Sequence, residues 1–219
     1  LFPFFFLSTL LTSTQNGMNS RILQAAGKLF HIPGELSFLL LPGFLGGYPA
    51  GAQTVTAAWE QGTISKDSAE RMLAFCNNAG PSFLFGILAS KFPDKWMAWA
   101  LWGLHIIGAL IAAQLMAMPS ASPEMECTVT EKPIPEVLFA SMKVMASVSG
   151  WLLLFRVLIA FLDHWIFWIL PVSVRVLVSG LLELANGCFL LEQIMDIRLR
   201  FVVCTLLLSL GGLCVLLQS

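Results

Sequence analysis

Two asparagines, Asn77 and Asn78, stand side by side inside an apolar run, and a single carboxylate, Glu183, stands inside another. Amides offer both donors and acceptors, and an ionisable group embedded in an apolar stretch is a functional candidate by default. These residues lie at interruptions marked by glycine, proline or both: GFLGGYPAGAQ over residues 43–53, CNNAGP over residues 76–81 and LELANG over residues 182–187, with a further break at Gly211 and Gly212. The chemistry open to such places is binding. Backbone N–H and C=O groups released from a helix in hydrocarbon persist only where protein, water or a ligand satisfies them. A helix that restarts after a break presents free N–H groups and the positive end of its dipole, which favour an anion or a carboxylate.

The candidate binding residues are therefore Gly46, Gly47, Tyr48, Pro49, Gly51 and Gln53 at the first break, and Asn77, Asn78, Gly80 and Pro81 at the second. Glu183, Asn186, Gly187, Gly211 and Gly212 supply the corresponding positions later in the chain. Gly51 and Gly80 would let backbone approach a ligand closely, and Pro49 and Pro81 lack an N–H that would otherwise need a partner. Structural roles compete at each place. Glycines and prolines also kink helices or let them pack tightly, and the asparagines are equally able to hydrogen-bond the freed backbone of an opposing hairpin. Glu183 is placed to coordinate a proton or cation, or to pair with Lys143 or Arg156; Lys143 is near enough to a helix end to snorkel, which makes Arg156 the better internal cation.

Catalysis finds little support. Ser149, His105 and Asp163 are present without a G-x-S-x-G or H-E-x-x-H pattern, so no nucleophile, base and orienter share a usable spacing and no enzyme is expected. His31, His105 and His164 are far apart, and Cys76, Cys127, Cys188, Cys204 and Cys214 show no C-x-x-C pair. Neither a metal nor a cofactor is expected, and the cysteines read as small core hydrophobes.

The elements that must hold these residues follow from composition. Of 219 residues, 57% are hydrophobic and 11% charged, with a mean hydropathy of +0.81, against about 25% charged in soluble domains. Such a chain is an integral membrane protein, and its scattered Lys and Arg leave no nucleic-acid footprint. Spanning helices need about 20 apolar residues, a criterion met by residues 96–118, with tryptophans at their start, and by residues 137–162, interrupted at Gly150. The opening run 1–13 is expected to be the remainder of another span. Residues 35–45 and 52–62 provide only half-length pieces around the first break and read as a re-entrant hairpin, and residues 65–92, with Ser65 as N-cap, read as a discontinuous helix. The second half repeats the plan, with a hairpin tip at residues 182–187 and a broken helix at Gly211 and Gly212.

Counting crossings makes the halves inverted, so the expected fold is an all-α polytopic membrane protein of two inverted repeats, each with a re-entrant helical hairpin and a broken transmembrane helix. Residues 1–118 form the first repeat with a connecting helix, residues 119–136 a polar, acidic loop, and residues 137–219 the second repeat. Basic residues do not orient the chain, because Arg21, Lys28, Lys66, Arg71 and Lys132 on one face are balanced by Lys91, Lys95, Arg198 and Arg200 on the other. Neither terminus has a polar tail, and truncation at both ends is expected.

At GGYPAGAQ, LAFCNNAGPSF, LLELANGC and LGGLCVLLQ the sequence resembles the sporulation integral membrane protein family typified by YlbJ (SpoVV), within the nucleoside-recognition or gate-domain superfamily, over essentially the whole chain. The resemblance implies a gate-domain fold like the core of concentrative nucleoside transporters, a bacterial cytoplasmic or forespore membrane, and movement of a small anionic solute, with dipicolinate proposed. It also implies that the glycine, proline, asparagine and glutamate positions named above form the site. A nucleoside-like solute, or a non-transporting scaffold that recruits partners through loop 119–135, is the alternative. The expected partners are the lipid bilayer, a small-molecule solute and a second copy of the chain.

Overall fold

The computed structural model describes residues 21–116 and 133–218, together with Phe6 and Leu10. The opening run 1–13, apart from those two residues, and the loop residues 119–132, Cys127 and Lys132 among them, lie outside the described residues.

Among the described residues the chain is all-helical. Helix α1, Arg21–Leu29, leads into a 3-10 turn, Gly34–Leu39, and a π turn, Pro42–Gly46. Helix α2 is Ala50–Glu60, α3 is Lys66–Cys76 and α4 is Pro81–Gly86. Ser65 caps α3, its Oγ accepting the Ser68 N–H at 3.2 Å, as the sequence suggests. Helix α5 is Lys95–Leu115 and α6 is Ile134–Trp165; α7, Val172–Leu182, is followed by α8, Leu184–Leu190. Helix α9, Ile197–Leu210, and α10, Leu213–Gln218, flank the last break.

Helix α5, helix α6 and the segment Ile197–Leu217 are long and apolar enough to cross a membrane. The shorter apolar pieces Leu36–Gly46 and Val172–Leu182 are not. Two elements differ from expectation. Helix α6 runs unbroken through Gly150, where an added Cβ would meet nothing within 4 Å; a lone glycine keeps its own N–H and C=O, so the intrahelical ladder continues across it. The first half of the first hairpin is not an α-helix but successive 3-10 and π turns, a geometry that Pro42 helps to impose by removing an N–H from the ladder.

The chain divides into two compact units, Leu1–Pro81 with Ile106–Met145, and Ser82–His105 with Ala146–Ser219. The first has a core of Phe30, Leu39, Leu40, Val55, Met72 and Phe75, onto which Ala109 and Ala113 of α5 pack. Phe30 stacks on Phe75 at 5.5 Å and meets Phe44 at 5.2 Å. The second buries Val176, Leu184, Leu191, Val203 and Leu207. The turn after α8 is held by Arg200, which donates to the carbonyls of Lys91 at 2.7 Å and Ile194 at 2.7 and 2.9 Å, while Lys91 pairs with Glu192 at 3.0 Å. Cys76, Cys188, Cys204 and Cys214 are all buried, which fits their reading as small core residues.

Candidate functional site

In the first unit, the chain leaves the π turn at Gly47, whose φ of 78° and ψ of −162° only glycine adopts without strain. Its N–H donates to the Pro42 carbonyl at 3.1 Å, and its own carbonyl accepts the Ala50 N–H at 2.8 Å. Helix α2 then begins behind Pro49, which follows a cis peptide bond and supplies no side-chain cap. Tyr48 and Gln53 are half-buried beside this start.

The second break follows Cys76. Asn77 leaves the helical region with φ −100° and ψ 78°, and Asn78, 5% exposed, donates from Nδ2 to the Phe75 carbonyl at 2.7 Å. Asn78 therefore bonds the last turn of its own helix rather than the opposing hairpin. Pro81 opens α4, where a missing N–H does no harm.

The two breaks meet backbone to backbone. A Cβ added at Gly47 would lie 2.5 Å from the Gly80 nitrogen, and one at Gly80 would lie 3.0 Å from the Gly46 carbonyl oxygen. One turn away, a Cβ at Gly51 would fall 1.9 Å from the Cys76 carbonyl oxygen and one at Gly43 only 1.8 Å from it. So the bare faces of Gly51 and Gly80, which the sequence suggests as places for a ligand to approach, are filled by neighbouring backbone of the same unit. Gly43, not singled out from sequence, shares that role. Its signal was the spacing to Gly51, which places both near one carbonyl only after the turn has formed.

The second unit contains a parallel pair of breaks. The interruption expected over residues 182–187 is confined to Glu183, which is extended at φ −141° and ψ 112°. Asn186 and Gly187 lie inside α8 instead. The cause is local: the Glu183 side chain accepts the Ala185 N–H at 2.9 Å and the Asn186 N–H at 2.6 Å, so the new helix starts at once with two of its orphan donors satisfied.

Gly187 brings α8 against α7, a Cβ there falling 2.2 Å from the Gly180 Cα. The last break, at Gly211 and Gly212 with φ of 75° and 76°, lies against this tip, a Cβ on Gly212 falling 3.0 Å from the Gly180 carbonyl oxygen and 3.2 Å from the Leu184 nitrogen. Gly180 was missed from sequence, although its seven-residue spacing to Gly187 places both glycines on facing sides of the hairpin.

Polar groups gather around the second tip. Glu183 is 8%, Asn186 9% and Ser179 0% exposed. The Ser179 Oγ and Asn186 Nδ2 are buried without hydrogen-bond partners among the described residues. Arg156, one of the two bases the sequence offers to Glu183, turns elsewhere: it donates from Nη1 to Asn186 Oδ1 at 2.5 Å. Lys143 is exposed nearer the start of α6.

Helices of spanning length and an apolar composition make this an integral membrane protein. Over 125 residues the chain is 32% identical to the sporulation integral membrane protein YlbJ of Bacillus subtilis (strain 168), a stretch that is 53% of this chain and 29% of that protein. The chain is thus similar to that protein over about half of its own length, and the match spans less than a third of the relative's length. No protein-family model matches it. No solved structure matches it.

Proposed function

We propose that the chain forms the helix-break core of a transporter or channel subunit for a small anionic solute, with dipicolinate during sporulation as the candidate. In this reading the two units are inverted gate-type repeats, each a re-entrant hairpin set against a broken membrane helix. The bilayer surrounds them and a second copy shields the exposed spans. The observation that carries the proposal is the repeated apposition of breaks: Gly46 and Gly47 against Gly80 in one unit, and the Glu183 tip against Gly212 in the other. Paired interruptions of this kind hold solute sites in secondary transporters. Tyr48, Gln53, Asn77 and Asn78 supply the polar lining at the first pair, and Glu183 and Asn186 at the second.

A non-transporting scaffold is favoured by one feature, the filling of the Gly51 and Gly80 faces by backbone of the same unit. The experiment that separates the two readings is thermal unfolding of the detergent-purified protein against dipicolinate, other aromatic dicarboxylates, nucleosides and divalent-cation salts. A ligand at one hundred times its dissociation constant stabilises the folded state by about 2.7 kcal/mol. A midpoint raised by one solute class, and no longer raised in Asn78→Leu, is the expected result. A folded protein that responds to nothing in the panel sinks the transport reading.

A further inference from the structure

Arg156 of α6 donates to a buried amide, Asn186, rather than to a carboxylate. It lies in α6 seven residues before Asp163, about 10 Å deeper along the helix axis. Asp163 itself approaches Arg175 at 3.8 Å, near the end of α6 and the start of α7. Lys91 has Glu192 at 3.0 Å and Lys66 has Glu70 at 3.7 Å. Arg156 has no carboxylate within ion-pair distance among the described residues; its partner is the neutral Asn186. The nearest carboxylate in sequence to that asparagine, Glu183, is already engaged by the Ala185 and Asn186 N–H groups.

A guanidinium carries five N–H donors in a planar fork. One nitrogen is held by Asn186, which can accept only through Oδ1, so the amide fixes the guanidinium's orientation and leaves its charge uncompensated. The side chain is otherwise exposed. An intramembrane arginine is expensive unless an anion or a water-filled cavity meets it, and a guanidinium edge left open is suited to a planar, two-oxygen anion.

Resting on the proposed solute site, we infer that Arg156 is its specificity-determining residue: it receives a carboxylate of the solute on the part of the guanidinium that Asn186 does not hold. Asn186 is the positioning residue, and its buried Nδ2, unpartnered among the described residues, is a second donor beside the same fork. The selectivity that follows is for charge rather than for ring shape. An uncharged analogue of the same outline lacks the interaction.

The test compares pyridine-2,6-dicarboxylate with pyridine-2,6-dicarboxamide, which has nearly the same shape and no charge, by thermal-shift titration of the full chain in detergent. Wild type is expected to bind the dicarboxylate the more tightly. Arg156→Gln should weaken the dicarboxylate about 10- to 100-fold, the range for a hydrogen bond to a charged group, while leaving the dicarboxamide unchanged, and Arg156→Lys should fall between. Asn186→Asp gives Arg156 an internal counter-ion, so it should unfold at no lower temperature than wild type and still lose the dicarboxylate, which decides the matter should Arg156→Gln fail to fold.

Unchanged dicarboxylate binding in Arg156→Gln or in Asn186→Asp overturns the inference and leaves the solute site standing. A wild type that binds no dicarboxylate overturns the inference, and one that responds to no solute in the wider panel overturns both. A third arm adds phosphatidylglycerol to the micelles. If that lipid raises the wild-type midpoint through Arg156 while the dicarboxylate binds without it, the guanidinium serves lipid headgroups and the inference falls.

Discussion

Glycine has two distinct uses in this chain. At Gly47 the backbone itself demands it, through a φ of 78°; at Gly43 and Gly51 the demand is space, because the Cys76 carbonyl occupies the volume a methyl group would need. Gly51→Ala or Gly43→Ala is therefore expected to lower stability by about 1–3 kcal/mol, measured as the unfolding midpoint in detergent. An unchanged midpoint would mean that the breaks are not packed as described. Glu183 works differently, as a side-chain cap. Glu183→Ala should cost about 1 kcal/mol, and Glu183→Gln less, because one amide oxygen still accepts one of the two N–H groups. Equal stability of all three proteins would remove the capping role and return Glu183 to the list of groups available to a cation.

At the level of elements, the contrast between α6 and the α7–α8 hairpin is the informative one. Gly150 looks from sequence like an interruption, yet α6 passes through it and the surrounding space is open. Gly150→Ala should thus be neutral or stabilising by up to about 1 kcal/mol. Gly187→Ala should behave in the opposite way, since its Cβ would fall on the Gly180 backbone at 2.2 Å and push α8 off α7. Comparing the two midpoints tests both assignments. Loss of stability in Gly150→Ala would show that the helix needs a kink there after all. The breaks themselves were legible because Gly-Gly, Asn-Asn and Pro leave a mark in any apolar run. The exact residue at which a helix resumes was not, because it depends on whether a side chain such as Glu183 can reach back to the new N–H groups.

On the scale of the whole chain, contacts between distant residues decide what the sequence pattern leaves open. Arg200 joins the turn after α8 to the Lys91 carbonyl, more than one hundred residues away, and also bonds the Ile194 carbonyl of that turn. Arg200→Ala should destabilise by about 2 kcal/mol, and Arg200→Lys should recover little because an ammonium cannot reproduce the fork. Arg198→Ala, at an exposed neighbouring position, should stay within about 0.5 kcal/mol. Thermal unfolding of the three variants side by side checks this, and a tolerated Arg200→Ala would refute the clamp.

What the sequence determined alone is the solvent and the punctuation. Its apolar excess admits only a bilayer, because hydrocarbon forces every backbone group to be satisfied within the chain and so forces helices. Its Gly, Pro and Asn clusters mark where those helices stop. Tertiary structure decided the partners. Nothing in the spacing of Gly46, Gly47 and Gly80 shows that they touch, or that Gly180 receives Gly187 and Gly212, since such approaches arise only when breaks distant in sequence are folded onto each other. The same holds for Arg156, whose hydrogen bond to Asn186 rather than an ion pair with Glu183 follows from Glu183 having turned to cap its own helix. Local composition sets where a helix must break; the packing of distant backbone determines what the break then faces.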